Sequence, residues 1–287
     1  MPKSKKIPKI KLPMNLYWNE KPKNKFMTEQ QAIKVEMTDY PKGNFRMRCA
    51  KASMSTWNYK PIKIKQNKAN EIFKEILTYK MLPNTMESLI FSFRFNNLTH
   101  IDISHILRHR LFFSITAVCS GDRDLRHDWI LIPNSIKNSK FKNRYIKLSE
   151  ECKQLYSDIV DSKEVSLMDA RFILNRNHLY DYNISMNLKD AISFINQRKC
   201  TQIQPYTDNL MAKGVYDNII KIIPELKNII SLKCNSSCHY VRTANTGKAT
   251  NLYLPDKAHD CFDWNPDNFI YKKRRYELGI PKTIQDE

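Results

Sequence analysis

The strongest constraint on the fold of this chain is a change of period between two neighbouring segments. Residues 88–95, SLIFSFRF, alternate apolar and polar side chains, as a half-buried strand does. The next apolar segment, ISHILRHRLFF (103–113), abandons the two-residue period and reads as a helix. Both periods recur along the chain. AIKVEMTDY (32–40) is strand-like, and YDYNISMNL (180–188) is strand-like or irregular. Residues 68–81 place Ile72, Ile76 and Met81 near helical spacing, thickened by Phe73, Leu77 and Tyr79. Helices are also predicted over 143–160, over 189–199, and over 215–230 with a break near Pro224. Ser166 with Asp169 three positions on gives 165–174 a capping-box-like start. The small-residue stretch CAKASMS (49–55) reads as a tight loop or a helix start. The fold class is therefore mixed α/β (α+β), with a central sheet flanked by helices. No internal repeat is visible, and with five glycines there is neither a Walker A loop nor a Rossmann fingerprint.

The 287 residues divide into a Lys- and Pro-rich arm (1–25), a main domain (26–231) and a C-terminal extension short of periodicity (232–287). The arm reads as a solubilising tail, a polyanion-binding arm or a targeting signal. A hydrophobic content of 41% supports a folded core. The formal charge of +19 favours polyanionic partners: nucleic acid, nucleotides or an anionic surface. Seven scattered cysteines do not form a secreted disulfide pattern, and a reducing, cytoplasmic setting is expected. There is no apolar run long enough to span a membrane and no secretory signal core.

The chemistry concentrates at Arg108-His109-Arg110. The triplet closes an apolar segment, and a polar turn with Ser120, Gly121, Asp122 and Arg123 follows. Guanidinium forks, backbone N–H groups and a hydroxyl are what a phosphate needs. Basic triplets are common in a chain this basic, so the alternative is a solvated face.

The ordered set of motifs resembles the flavin-dependent thymidylate synthase family. That family carries RHR, then a short stretch, then Ser and Arg. On either side, CAKAS (49–53), MESLIFSF (86–93) and DARFILNRNHLYDYNISMNLKDAISFINQR (169–198) resemble its other segments. The resemblance implies a homotetramer with active sites at subunit interfaces, FAD as bound cofactor, and dUMP as substrate. Methylenetetrahydrofolate would supply the methylene and NADPH the reducing equivalents for dTMP formation. It also implies roles for individual residues. Substrate would be met by His105, Ser120, Gly121, Arg123, Arg171 and Arg198, with Arg198 beside the pyrimidine as the catalytic cation. FAD would be met by Ser53, Arg108, His109, Arg110, Asn187 and Lys189. Each arginine is otherwise a surface or interface ion-pair residue. No nucleophilic role falls to Cys119 or Cys200.

The sequence departs from the family's pattern in several places. Nine residues stand between Arg110 and Ser120, where the family has seven. Polar family positions are occupied by Ile115, Thr116, Ala117 and Val118. Ser88 replaces a His, His105 a Gln, and Lys189 an Arg, which removes bidentate contact. The last signature survives only as TQIQPY (201–206). These positions shape the pocket around the bases, so two alternatives stand beside the synthase. One is a pyrimidine nucleotide hydroxymethylase on the same fold; the other is a degenerate homologue that binds nucleic acid through the basic arm. A separate cluster, Cys234, Cys238, His239, His259 and Cys261, has zinc-ligand chemistry without a common zinc spacing, and the alternative is ordinary thiols.

Overall fold

The computed structural model describes residues 26–56, 63–108, 114–117, 124–199 and 205–230. The arm 1–25 and the extension 232–287, with its Cys/His cluster, lie outside them. The first elements are β1 (Phe26–Met27), α1 (Glu29–Ala32), β2 (Lys34–Asp39), α2 (Phe45–Ser55) and α3 (Gln66–Leu77). Then come β3 (Ile90–Leu98), α4 (His100–Ile106), β4 (Ser114–Ala117), β5 (Ile130–Leu131), α5 (Asn134–Lys137) and α6 (Lys142–Ser162). The chain continues through α7 (Leu167–Ala170), β6 (Tyr180–Asn187), α8 (Leu188–Arg198) and α9 (Tyr206–Ile222). Four strands form an antiparallel sheet in the order β2-β3-β6-β4, and β1 and β5 form a short parallel pair.

The alternation in β3 does what the sequence predicts. Phe91, Phe93 and Phe95 point to one face and are fully buried. They lie opposite Met186, Ile184 and Tyr182 of β6, all buried. The other face is polar: the Ser92 and Ser185 hydroxyls meet at 2.8 Å, and Arg94 Nη2 donates to Asp181 Oδ2 at 2.7 Å. Asn97 takes a left-handed conformation (φ 59°) where the register shifts, which returns Leu98 to the core.

Three expectations need correction. The helix predicted across 103–113 ends at Ile106, and Ser114–Ala117 is a strand paired antiparallel with β6. The reason is the open edge of β6, whose backbone groups need partners, and the β-branched Ile115 and Thr116 suit that edge. CAKASMS is neither a loop nor a helix start but the C-terminal part of α2, which begins at the Asn44 cap; Cys49, Ala50 and Ser53 face inward. The last helix begins at Tyr206, nine residues before the predicted start. Its first turn is polar in sequence yet buried (Thr207, Asp208 and Asn209), so the apolar period is hidden there.

The remaining helices follow their sequence signals. Helix α8 starts on the side chain of Asn187, whose Oδ1 accepts from the Asp190 N–H at 2.8 Å. Ser166 caps α7 by accepting from the Asp169 N–H. Helix α9 stops at Ile222, before Pro224. Among the described residues no helix is long and apolar enough to cross a membrane.

Candidate functional site

The junction of α4, α8 and α9 gathers buried charge. Asp208 sits in the first turn of α9 and is completely buried. A carboxylate here is favoured by the N-terminal end of the helix dipole. Its Oδ2 accepts from Arg198 Nη1 at 3.1 Å, and His105 Nδ1 lies 3.1 Å from the same oxygen. Arg198 is the last residue of α8 and is 7% exposed. Its Nη2 donates to the backbone carbonyl of His105, one of the carbonyls that the end of α4 leaves without a helical partner. Asn209 Nδ2 donates to the Arg198 carbonyl at 2.6 Å.

Burial pulls the Arg198 guanidinium below its ordinary pKa, Asp208 offsets part of that, and the nearby Arg108 adds to it. Arg108 stands exposed just beyond α4. Lys199 is nearly buried, is also pulled down by burial, and sits 5.7 Å above the Tyr216 ring. Two cations, Arg108 and Arg198, thus meet at one corner, with Asp208 as the buried counter-charge.

The predicted site residues fall into separate groups. His105, Arg108 and Arg198 come together at this junction. Arg171 lies toward the other end of α4. Its charge and that of Arg176 add to burial in pulling His100 below its ordinary pKa, and its guanidinium stacks 5.8 Å from the exposed Phe172 ring. Asn187 and Lys189 mark the start of α8. Eleven residues at about 1.5 Å each separate Asn187 from Arg198, about 16 Å along a straight helix. Lys189 is held by Glu87 at 2.8 Å. Ser53 is buried in α2, and its hydroxyl oxygen has no hydrogen-bond partner as donor or acceptor. His109, Arg110, Ser120, Gly121 and Arg123 lie outside the described residues. Among the described residues no three His, Cys, Asp or Glu side chains are grouped to hold a metal ion.

Asp208 was missed from sequence. Its only signal is an acidic residue in YTDNL, three positions after Pro205, which fits an ordinary helix start equally well.

The chain matches the model of the family described as thymidylate synthase complementing protein over residues 36–225. No curated protein matches it. Among solved structures, its fold is similar to that of a UMP/dUMP methylase, PolB from Streptomyces cacaoi, bound with 5-Br dUMP. The TM-score is 0.57 at 13% identity, covering 72% of this chain and 98% of that one. The same enzyme bound with 5-Br UMP gives a TM-score of 0.56 at 13% identity, covering 74% and 99%. The matched region takes in both the sheet and the α4–α8–α9 junction, and the chain belongs to the thymidylate synthase complementing protein family, the flavin-dependent thymidylate synthases, as a divergent member.

Proposed function

We propose that the protein reductively methylates a pyrimidine nucleotide, converting dUMP to dTMP. Methylenetetrahydrofolate is the carbon source, FAD the bound cofactor and NADPH the reductant. The observation that carries this reading is the cationic corner of Arg108 and Arg198, held by the buried Asp208, inside the region matched to the family. A nucleoside monophosphate carries about two negative charges, and arginine forks suit its phosphate.

In this reading Arg171, His105, Ser120, Gly121 and Arg123 hold the nucleotide. Arg198 stabilises negative charge on the pyrimidine ring oxygen as C5 becomes nucleophilic. Arg108, His109, Arg110, Asn187, Lys189 and Ser53 hold the flavin. The donor set fits an anionic dinucleotide: Arg108 is an exposed cation, Lys189 reaches it only by leaving its Glu87 partner, and the Ser53 hydroxyl is buried without a partner. The flavin, when bound, supplies the hydride that completes the methyl group. The assembly is a cytoplasmic homotetramer with the site between copies.

A second reading rests on β4. Ile115, Thr116 and Ala117, at polar family positions, form an edge strand beside β6, so the pocket differs where the base and folate would be met. Such a pocket suits another pyrimidine nucleotide, UMP included, or release of a hydroxymethyl product.

The test is an absorbance spectrum of the purified protein before and after adding FAD, followed by mass analysis of the nucleotide product. Flavin bands that bleach with NADPH and return faster with dUMP and methylenetetrahydrofolate support the synthase. A 5-hydroxymethyl product or turnover of UMP alone supports the second reading. A protein that takes up no FAD sinks both, and salt-dependent binding of single-stranded nucleic acid becomes the function to measure.

A further inference from the structure

We propose that Asp208 is the positioning residue of the site: it fixes the Arg198 guanidinium and ties it to His105 at the end of α4. The inference rests on the nucleotide-methylase reading for its consequence, but its geometry stands alone. Asp208 is 0% exposed, and one of its oxygens, Oδ2, lies 3.1 Å from both Arg198 Nη1 and His105 Nδ1. Its other oxygen, Oδ1, is buried and has no hydrogen-bond partner. A carboxylate needed only to start α9 would have no reason to be so placed, because a helix N-terminus accepts an exposed carboxylate at lower desolvation cost.

The arrangement holds a guanidinium by two anchors on different elements: the Asp208 carboxylate from α9 and the His105 carbonyl from α4. Two such anchors fix both the plane and the distance of the fork, which is what a cation acting on developing charge requires. They also link the end of α8 to the segment that runs into Arg108. A second buried carboxyl, Asp102, lies close enough to feel Asp208's charge, which adds to burial in raising its pKa. Its side chain is taken by Thr99 and Thr207, so Asp208 alone reaches the arginine among the two.

The experiment compares Asp208→Asn and Asp208→Glu with the full-length parent. It reads kcat and KM for dUMP, and separately the nitrogen-15 NMR signals of the Arg198 guanidinium, assigned with Arg198→Lys. The expected result for Asp208→Asn is a kcat lowered by about 100-fold with KM for dUMP within about 3-fold, the pattern of a lost transition-state contact. Asp208→Glu should recover part of kcat. The guanidinium signals, sharp and slow to exchange in the parent, should broaden in Asp208→Asn. A kcat within 2-fold of the parent, or guanidinium signals unchanged in Asp208→Asn, overturns the proposal. If the parent methylates no pyrimidine nucleotide, the functional reading fails, and the NMR signals alone decide whether Asp208 positions Arg198. If Asp208→Asn does not fold, Asp208→Glu is judged by the same two measurements, with a reduced kcat and broadened signals expected and parent-like values overturning.

Discussion

Helix α9 can lie on strand β2 because residue 214 has no side chain. A Cβ on Gly214 would stand 2.6 Å from Val35 Cβ and 2.7 Å from Val35 Cγ2. Neither is the far end of a flexible chain, so backbone has to move. Asn218 holds the same contact closed by donating from Nδ2 to the Val35 carbonyl at 3.0 Å and the Gly214 carbonyl at 2.9 Å. Gly214→Ala gains about 1 kcal/mol of helix propensity. It loses about 1–3 kcal/mol to overpacking at a site that cannot relax cheaply, so the clash wins. The expected outcome is a lower urea midpoint for Gly214→Ala, with partial recovery when Val35→Ala is added. A second effect at this scale belongs to His178. Burial pushes its pKa from the usual 6.5 to about 3, helped by the charge of Lys153. The folded state therefore refuses a proton that the unfolded state takes. The resulting stability is complete above pH 6.5 and is lost toward pH 3, by about 1.4 kcal/mol per pH unit at most. Urea unfolding at pH 7.0 and 4.5 should show a smaller drop in His178→Gln than in the parent; equal drops would remove His178 as the cause.

At the scale of elements, α4 is the piece on which the site turns. Seven residues are too few for a helix to persist by propensity alone. A reciprocal cap holds its start. Thr99 donates its N–H and hydroxyl to Asp102 Oδ2, at 2.8 and 2.7 Å, and accepts the Asp102 N–H at 3.3 Å. Thr99→Ala should cost about 1–3 kcal/mol, because it removes a cap and leaves a buried carboxylate short of a donor. Thermal unfolding of the two proteins measures it. The same short helix explains what was legible. The strands β3 and β6 and the helices α3, α6 and α8 each bury one face, and their residues record that in a two-residue or 3.6-residue period. Helix α4 keeps its period only to Ile106, and β4 is four residues long, too short to announce its own. The first turn of α9 buries Thr207, Asp208 and Asn209, so polarity there means function or pairing rather than solvent. Of the site, the arginines were legible because the family's motifs keep them in order. Asp208 was not, since a buried counter-ion is defined by what approaches it in space, which no spacing along the chain records.

At the scale of the whole molecule, apolar surface remains that one chain does not cover. Phe141, Leu148 and Leu155 of the α6 region are 57%, 55% and 45% exposed and recur every seven residues, so they line one stripe. Met168 and Phe172, in and just after α7, are also exposed, and α7 and the turn after it pack along α6. Exposed apolar residues grouped in this way are the mark of an association surface. Arg171 stacks on Phe172, so it belongs to that surface, whereas Arg198 is held inside by Asp208. If the proposed homotetramer has its site between copies, Arg171 of one copy would serve the Arg198 of another. Two inactive variants test this: Arg171→Ala, and Arg198→Lys, which keeps a cation beside Asp208 and so limits the cost to the fold. Each alone should lose most turnover of dUMP. Unfolded together and refolded as a mixture, they should regain part of it, because some interfaces then pair an intact Arg171 with an intact Arg198. If both arginines acted within one chain, every site in the mixture would carry a lesion and no activity would return.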